Sequence, residues 1–285
     1  MSYLKPEIFT IDCLTNMLVG SGKANYGVID QLVQRDVTSH APIIHASSLK
    51  GAIKEFCSHK EMDDAKMKCI FGSAKKSTNG ATPDTQVGEF KFLDAHLLAL
   101  PVRSDKTAFV HITSGAALEI LVNFLEIYKL GDTLQSEIKA FANLIVENEG
   151  NEAIAFSSTL HETAIEETDI LAKYDEAYLP KYTVAIRKLL PENTVLVSNK
   201  LFKALSNDLH LPVIARNHLE NGESTNLWYE QVIPRQSKFW FSLLYPEIKK
   251  DEYTSLITIL AQPPIQIGAN ASVGYGYTTI KPTIK

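Results

Sequence analysis

The sequence predicts one elaborated α+β domain, and three observations lead there. Segments of helical and strand character alternate along the 285 residues without a strict repeat. No Gly/Ser-rich or Pro-rich linker separates two halves. The composition, 45% hydrophobic and 21% charged, is that of a globular chain long enough to bury a sizeable core.

The elements follow in order. Residues 7–19 are rich in Ile, Phe, Thr and Leu and form a strand. Ser47 or Ser48 caps a helix whose Leu49, Ile53, Phe56 and Cys57 keep the helical period. A second short helix covers 61–70 and stops before Gly72, and the polar stretch 73–88 is a mobile loop. Residues 89–102 are extended, and 109–113 form another strand. Ser114 starts an apolar helix that runs through Tyr128 and ends at Gly131. Residues 135–146 are helical, 153–157 a short strand and 166–190 mostly helical. Ser198 opens a helix to Leu209, carried by Leu201 and Leu205. Two or three strands fill 212–241 around Asn221-Gly222, the dipeptide of a two-residue hairpin turn. A helix near 253–261 leads to Pro263-Pro264 and a last strand pair through Thr279.

Several function classes are excluded or narrowed. No run of about eighteen apolar residues is present, so no membrane span is expected. The opening MSYLKPEIFT lacks a signal-peptide pattern, and the expected location is the cytoplasm. The three cysteines, Cys13, Cys57 and Cys69, show no CxxC spacing, which disfavours a zinc site or a disulfide framework. Net charge is −5, but residues 147–176 hold nine acids against one lysine. Removing that −8 leaves +3 on the remainder, and residues 47–76 alone hold seven lysines against four acids. A polyanionic partner is therefore allowed.

Two stretches carry candidate chemistry. Residues 20–56 contain a glycine loop (Gly20, Gly22, Gly27), the loop acid Asp30, then Arg35, Asp36 and a helix start at Ser47-Ser48-Leu49-Lys50. A helix N-terminus offers unpaired N–H groups and a positive partial charge to a phosphate. Asp12, Asp30 and Asp36 are candidate acids, with Asp94 a possible second carboxylate; strand-edge and turn roles also explain Asp12, Asp36 and Asp94. His45 beside the helix cap could act in proton transfer, or serve only as a polar cap residue. Residues 265–276 place Gly268, Gly274 and Gly276 around Asn270, a pattern that permits positive φ and close approach of a backbone to phosphate, or a plain turn between strands. Gly20-Ser-Gly-Lys23 is no P-loop, because Met17 stands where its first glycine belongs and Ala24 where its Ser or Thr belongs. The histidines form no HxH or HExxH grouping, and no GxSxG elbow occurs. Trp228-Tyr229 could stack on bases or form half of a buried strand face.

Six blocks in order resemble one family. GVIDQLVQRD, PIIHASSLKGAIKEF, IFGS, DAHLLALPVRS, NLWYEQVIP and IQIGANASVGYG are similar to RAMP-superfamily backbone subunits of type III-B CRISPR (Cmr) effector complexes. The resemblance implies a modified ferredoxin-like (RRM-like) core, with helical insertions at about 114–209 and a β-hairpin thumb at about 211–230. It implies copies of the chain stacked as a helical filament on CRISPR RNA, beside other Cmr subunits. The thumb would displace a base of the guide–target duplex at regular intervals. A loop aspartate, here Asp30, would then support endonucleolytic cutting of target RNA as the ligand of a divalent metal, Mg²⁺ or Mn²⁺. Ser47, Ser48, Lys50 and Lys54 would grip guide phosphates, aided by Gly268, Asn270, Gly274 and Gly276, with Arg35 and Arg103 as further backbone contacts. Two departures stand out: His45-Ala46 replaces the family's usual Pro-Gly, and Gly115 follows Thr113-Ser114 where Pro is common. The alternative reading is a non-catalytic guide-binding subunit of the same complex.

Overall fold

A computed structural model describes residues 4–22, 27–73, 86–147, 150, 152–207 and 209–284. The expected loop at 73–88 therefore lies mostly outside the described residues, as does the middle of the glycine loop after Gly22. A twelve-stranded mixed sheet runs through the molecule. Its four central strands are, in spatial order, Tyr277–Ile284, Leu4–Cys13, Lys238–Pro246 and Ala95–Val102, each antiparallel to its neighbour. Helix Ala46–His59 lies in sequence between Leu4–Cys13 and Ala95–Val102, and helix Lys250–Leu260 between Lys238–Pro246 and Tyr277–Ile284.

Strand alternation divides the core in two. Phe9, Ile11, Leu97, Phe239 and Phe241 point to one face, where Leu49, Ile53 and Cys57 of the first helix and Leu256 and Leu260 of the last cover them. Ile8, Leu98 and Trp240, one residue out of phase, point to the other face under Leu118, Leu121, Leu125, Ile138 and Phe141. Both faces are buried at Lys238–Pro246 and Ala95–Val102, so these two strands are apolar almost continuously instead of alternating with polar residues.

The sheet continues beyond Ala95–Val102 through Val110–Ser114, Thr194–Val197, Ala153–Ala155, Leu171–Tyr174 and Thr163–Ala164. The stretch expected to be helical insertion thus also supplies four strands. Residues 166–190, expected to be mostly helical, are corrected to a strand, a 3₁₀ turn at Glu176–Lys181 and one short helix, Val184–Leu189. The apolar residues that suggested a helix are instead split between a sheet edge and a packed turn. The first strand ends at Cys13, not residue 19, and the Ser198-capped helix ends at Leu205, not Leu209. Cys13, Cys57 and Cys69 are free and buried. Among the described residues no helix is long and apolar enough to cross a membrane.

Candidate nucleic-acid interface

Val213–Glu220 and Glu223–Gln231 pair only with each other as a regular sheet, forming a ribbon exposed along most of its length. Asn221 and Gly222 make its tip with φ of 54° and 86°. Positive φ at both central residues gives the tight turn whose twist matches the strands, which is why Asn-Gly marks it.

Asp30 sits at the root of this ribbon. Its backbone N–H donates to Tyr229 O at 3.0 Å, and Tyr229 N–H donates to Asp30 Oδ2 at 2.8 Å. Gln231 N–H then donates to Gln31 O at 2.8 Å, so residues 30–31 run beside the second hairpin strand like a short third strand. The Asp30 side chain is exposed, and no described residue donates to its other oxygen. The result is an immobilised carboxylate with one face open.

Behind it, Glu230 is 2% exposed and bonded on both oxygens. Trp228 Nε1 donates to Oε1 at 2.8 Å, Asn270 Nδ2 donates to Oε2 at 2.8 Å, and Arg216 Nη1 lies 3.7 Å from Oε2. The Arg216 guanidinium packs between the rings of Trp228 and Tyr275. This buried acid ties the hairpin to the glycine loop. Removing one partner of a buried charge cluster leaves the others unpaired, so Glu230→Ala is expected to cost about 3 kcal/mol. Denaturant unfolding checks this; a midpoint equal to that of the unaltered protein would count against the linkage.

The glycine loop is shaped first by its own packing. A Cβ on Gly268 would stand 2.3 Å from Leu18 O, and one on Gly276 2.0 Å from Ile267 O. Ala269 N–H donates to Leu18 O, and Gly276 N–H to Asn16 O, both at 2.8 Å. Gly274 is different: it has φ +84° and open space around it. Asn270 is left-handed as well, with φ 63°.

The helix start is built differently from the sequence expectation. The N-cap is His45, not Ser47 or Ser48, and its side chain makes no capping hydrogen bond. The cap comes instead from Asp94, whose Oδ1 accepts from Ala46 N–H at 2.6 Å, with His45 Nδ1 3.5 Å from Oδ2. The first-turn N–H groups of Ser47 and Ser48 lack intrahelical acceptors and stay available to an anion. Gln34 joins this end to the acid loop. Its Nε2 donates to Gly20 O (3.2 Å) and to Ser48 Oγ (3.1 Å), and its Oε1 accepts from His45 N–H (2.9 Å). One turn on, Lys50 and Lys54 share a helix face with Lys91 nearby. Burial first, then repulsion from Lys91 and Lys54, lowers the Lys50 pKa. A polyanion would relieve that crowding.

Other expected contacts lie elsewhere. Arg35 Nη1 donates to His40 O at 2.9 Å and to Ser206 O, a bracing role. Arg103 is 69% exposed but held by Glu166 at 2.6 Å and Glu167 at 3.1 Å. Asp36 caps its own turn. Burial alone would raise its pKa, but hydrogen bonds from the hydroxyls and N–H groups of Thr38 and Ser39 outweigh it and hold the carboxyl at about 2. Asp12 pairs with Lys238 at 2.7 Å. Sequence reasoning missed Gln34, Glu230 and Asn16, whose importance lies in partners far along the chain.

A sheet-based α+β body that holds an exposed acid at the root of a free-standing hairpin, beside a lysine-bearing helix start, defines a protein with an interface suited to a polyanionic strand. The chain belongs to the RAMP superfamily, whose family profile matches residues 10–279. It is 28% identical to the CRISPR system Cmr endoribonuclease Cmr4 of Pyrococcus furiosus, over 99% of this chain and 96% of that protein. Its fold matches a chain of type III-B Cmr-beta bound to cognate target RNA, with TM-score 0.78, 23% identity and 98% of each chain covered. It also matches oligomeric Cmr4 from Pyrococcus furiosus, with TM-score 0.73, 22% identity and 98% of each chain covered.

Proposed function

We propose that this chain is the backbone subunit of a cytoplasmic type III-B CRISPR effector complex, binding CRISPR RNA and cutting complementary target RNA at regular intervals. The carrying observation is the open carboxylate of Asp30 clamped by Tyr229 at the root of the exposed hairpin. Support for the guide- and target-binding role comes from the full-length similarity to the Pyrococcus furiosus endoribonuclease and from the lysine-bearing helix start. Self-stacking and contact with other Cmr subunits are proposed from the same similarity. The ferredoxin-like reading of the core rests on the order of the four central antiparallel strands and the two helices that connect them.

In the proposed reaction the ribose 2′-OH attacks its own 3′-phosphate, which requires the attacking oxygen in line with the leaving oxygen. Regular A-form pairing holds it out of line, whereas a nucleotide pushed out of the stack can reach that geometry. The hairpin is the wedge, and its root places the displaced phosphate beside Asp30. Asp30 accepts the hydroxyl proton or holds it in a hydrogen bond, while Ser47, Ser48, Lys50 and Lys54 hold the guide. Products would carry 2′,3′-cyclic phosphate and 5′-hydroxyl ends.

The donor set fits a loosely held divalent ion. Asp30 offers one open oxygen, and among the described residues no group of three or more His, Cys, Asp or Glu side chains could cage a metal. Mg²⁺ or Mn²⁺ would therefore take its remaining ligands from water and RNA oxygens, as such ions do at phosphate sites. When bound, it would supply charge neutralisation at the phosphate.

The experiment is target cutting by the reconstituted complex with and without EDTA. Cutting that EDTA abolishes supports the proposal. Metal-independent cutting of a guide precursor would instead favour His45 as an acid or base. Tight target binding with no cutting in added Mg²⁺ or Mn²⁺ would favour the purely structural subunit.

A further inference from the structure

We propose that Gln34 is a positioning residue whose carboxamide turns the Ser48 hydroxyl outward, as a hydrogen-bond donor to one phosphate of the guide strand. This role rests on the reading of the first helix start as a guide-binding site, and Gln34 itself touches no RNA in it. Gln34 lies four residues after Asp30, at the base of the acid loop. Its backbone is fixed on both sides: Gln34 N–H donates to Val19 O at 2.8 Å, and Gln34 O accepts from Ile43 N–H at 3.1 Å. From this base the side chain reaches the first turn of helix Ala46–His59.

The hydrogen bonds fix which way the amide faces. Nε2 directs its hydrogens at Gly20 O (3.2 Å) and Ser48 Oγ (3.1 Å), and Oε1 accepts from His45 N–H (2.9 Å). Turning the amide over would set Oε1 against Gly20 O and the NH₂ group against His45 N–H. Both of those contacts would oppose like groups, and only the Ser48 hydroxyl could adapt. The glycine loop, the helix cap and the first helical turn thus hold one carboxamide before any ligand arrives. Little ordering entropy is then lost on binding.

The consequence falls on Ser48. A hydroxyl has one hydrogen to donate and lone pairs with which to accept. The Ser48 oxygen already accepts from Gln34, so its hydrogen points elsewhere, and among the described residues it meets no acceptor. Other helical serines dispose of that hydrogen internally: Ser136 donates to Asp132 O at 3.0 Å and Ser255 to Asp251 O at 2.9 Å. Ser48 makes no such bond among the described residues, although it is half-buried beside the first-turn N–H groups and Lys50. A group that only accepts completes this arrangement. A phosphate oxygen is such a group, and its charge strengthens the bond.

The test uses the full chain and, as probes, guide RNAs that each carry one methylphosphonate, which removes the charge and one acceptor oxygen of a single phosphate. Filter binding is expected to show one phosphate per bound copy at which this modification weakens binding about tenfold. Gln34→Met keeps the side-chain length without donor or acceptor. Gln34→Met and Ser48→Ala should each weaken binding of unmodified guide about tenfold, with no further loss when that phosphate is modified. The double variant should bind no more weakly than either single one. Gln34→Glu keeps the acceptor for His45 N–H but draws the Ser48 hydrogen to its own carboxylate. Its binding should fall below that of Gln34→Met and recover as the pH is lowered toward the carboxylic acid range, where a donor returns. Additive losses in the double variant would overturn the role of Gln34, as would binding by Gln34→Met equal to that of the unaltered chain. If Gln34→Met does not fold, a pH response of Gln34→Glu no steeper than that of the unaltered chain would overturn it. Should Ser48→Ala also bind as the unaltered chain does, with no phosphate responding, the guide-binding reading of the helix start falls as well.

Discussion

Replacing Asp30 with asparagine is expected to lower target-RNA cutting by the assembled complex at least about 100-fold, with RNA binding and the fold left intact. The separation follows from where Asp30 sits. Its side chain is exposed, and among the described residues its carboxylate accepts only from the N–H of Tyr229. Asparagine keeps an oxygen for that N–H but loses the charge and the basicity that the proposed chemistry needs. Alanine also loses the acceptor, yet at an exposed position the stability cost should stay within about 0.5 kcal/mol. A filter-binding measurement and a melting curve alongside the cutting assay separate the three properties. Loss of binding in step with loss of cutting would mean that Asp30 holds the RNA instead of acting on it.

The largest structural effect is expected at Gly276. An added Cβ would stand 2.0 Å from Ile267 O, and that carbonyl cannot simply move away. Gly276 O accepts from Ile267 N–H, and Gly276 N–H donates to Asn16 O, each at 2.8 Å, so the residue is held on both sides. Its φ of +78° adds backbone strain for any L side chain. Gly276→Ala should cost about 3 kcal/mol or more. Gly274→Ala is the control: φ is +84° but the space is open, so a cost of about 1 kcal/mol is expected. Comparable melting midpoints for the two variants would contradict the packing account. Because Asn270 in this loop bonds Glu230 at the hairpin root, Gly276→Ala should also weaken guide binding, whereas Gly274→Ala should act on binding only through its open backbone.

How much was legible in the sequence depends on how local the cause is. The hairpin tip was legible because Asn221-Gly222 encodes its own turn. The first helix was legible from Leu49, Ile53 and Cys57, all of which are buried. Its cap was not, because Asp94, forty-eight residues away, supplies the acceptor that Ser47 or Ser48 suggested. Thr194–Val197 went unread: four residues are too short a period to separate strand from loop, and pairing on both sides decides the matter. Residues 166–190 failed for the opposite reason, since scattered apolar residues fit a helix until sheet pairing at Leu171–Tyr174 takes them.

The same division runs through the site. Asp30 stood out by its motif, but Glu230 looks like an ordinary strand acid until Asn270 and Arg216 are seen against it. Arg35 and Arg103 look like free cations in sequence. In the fold one braces carbonyls and the other neutralises the acid-rich segment, while Arg235, unremarked in the sequence, is exposed and has no acidic partner among the described residues. Charge in a sequence gives inventory; only tertiary partners say which charges remain for a ligand.

The central claim is that the Asp30 of each copy cuts the target beside its own hairpin. Assemblies made with mixtures of unaltered and Asp30→Ala chains, their target cuts mapped at single-nucleotide resolution, test it directly. Every cut should weaken in proportion to the altered fraction, keep its position and vanish when all copies are altered. Cuts that persist at full strength with Asp30→Ala in every copy would show that the chemistry lies elsewhere.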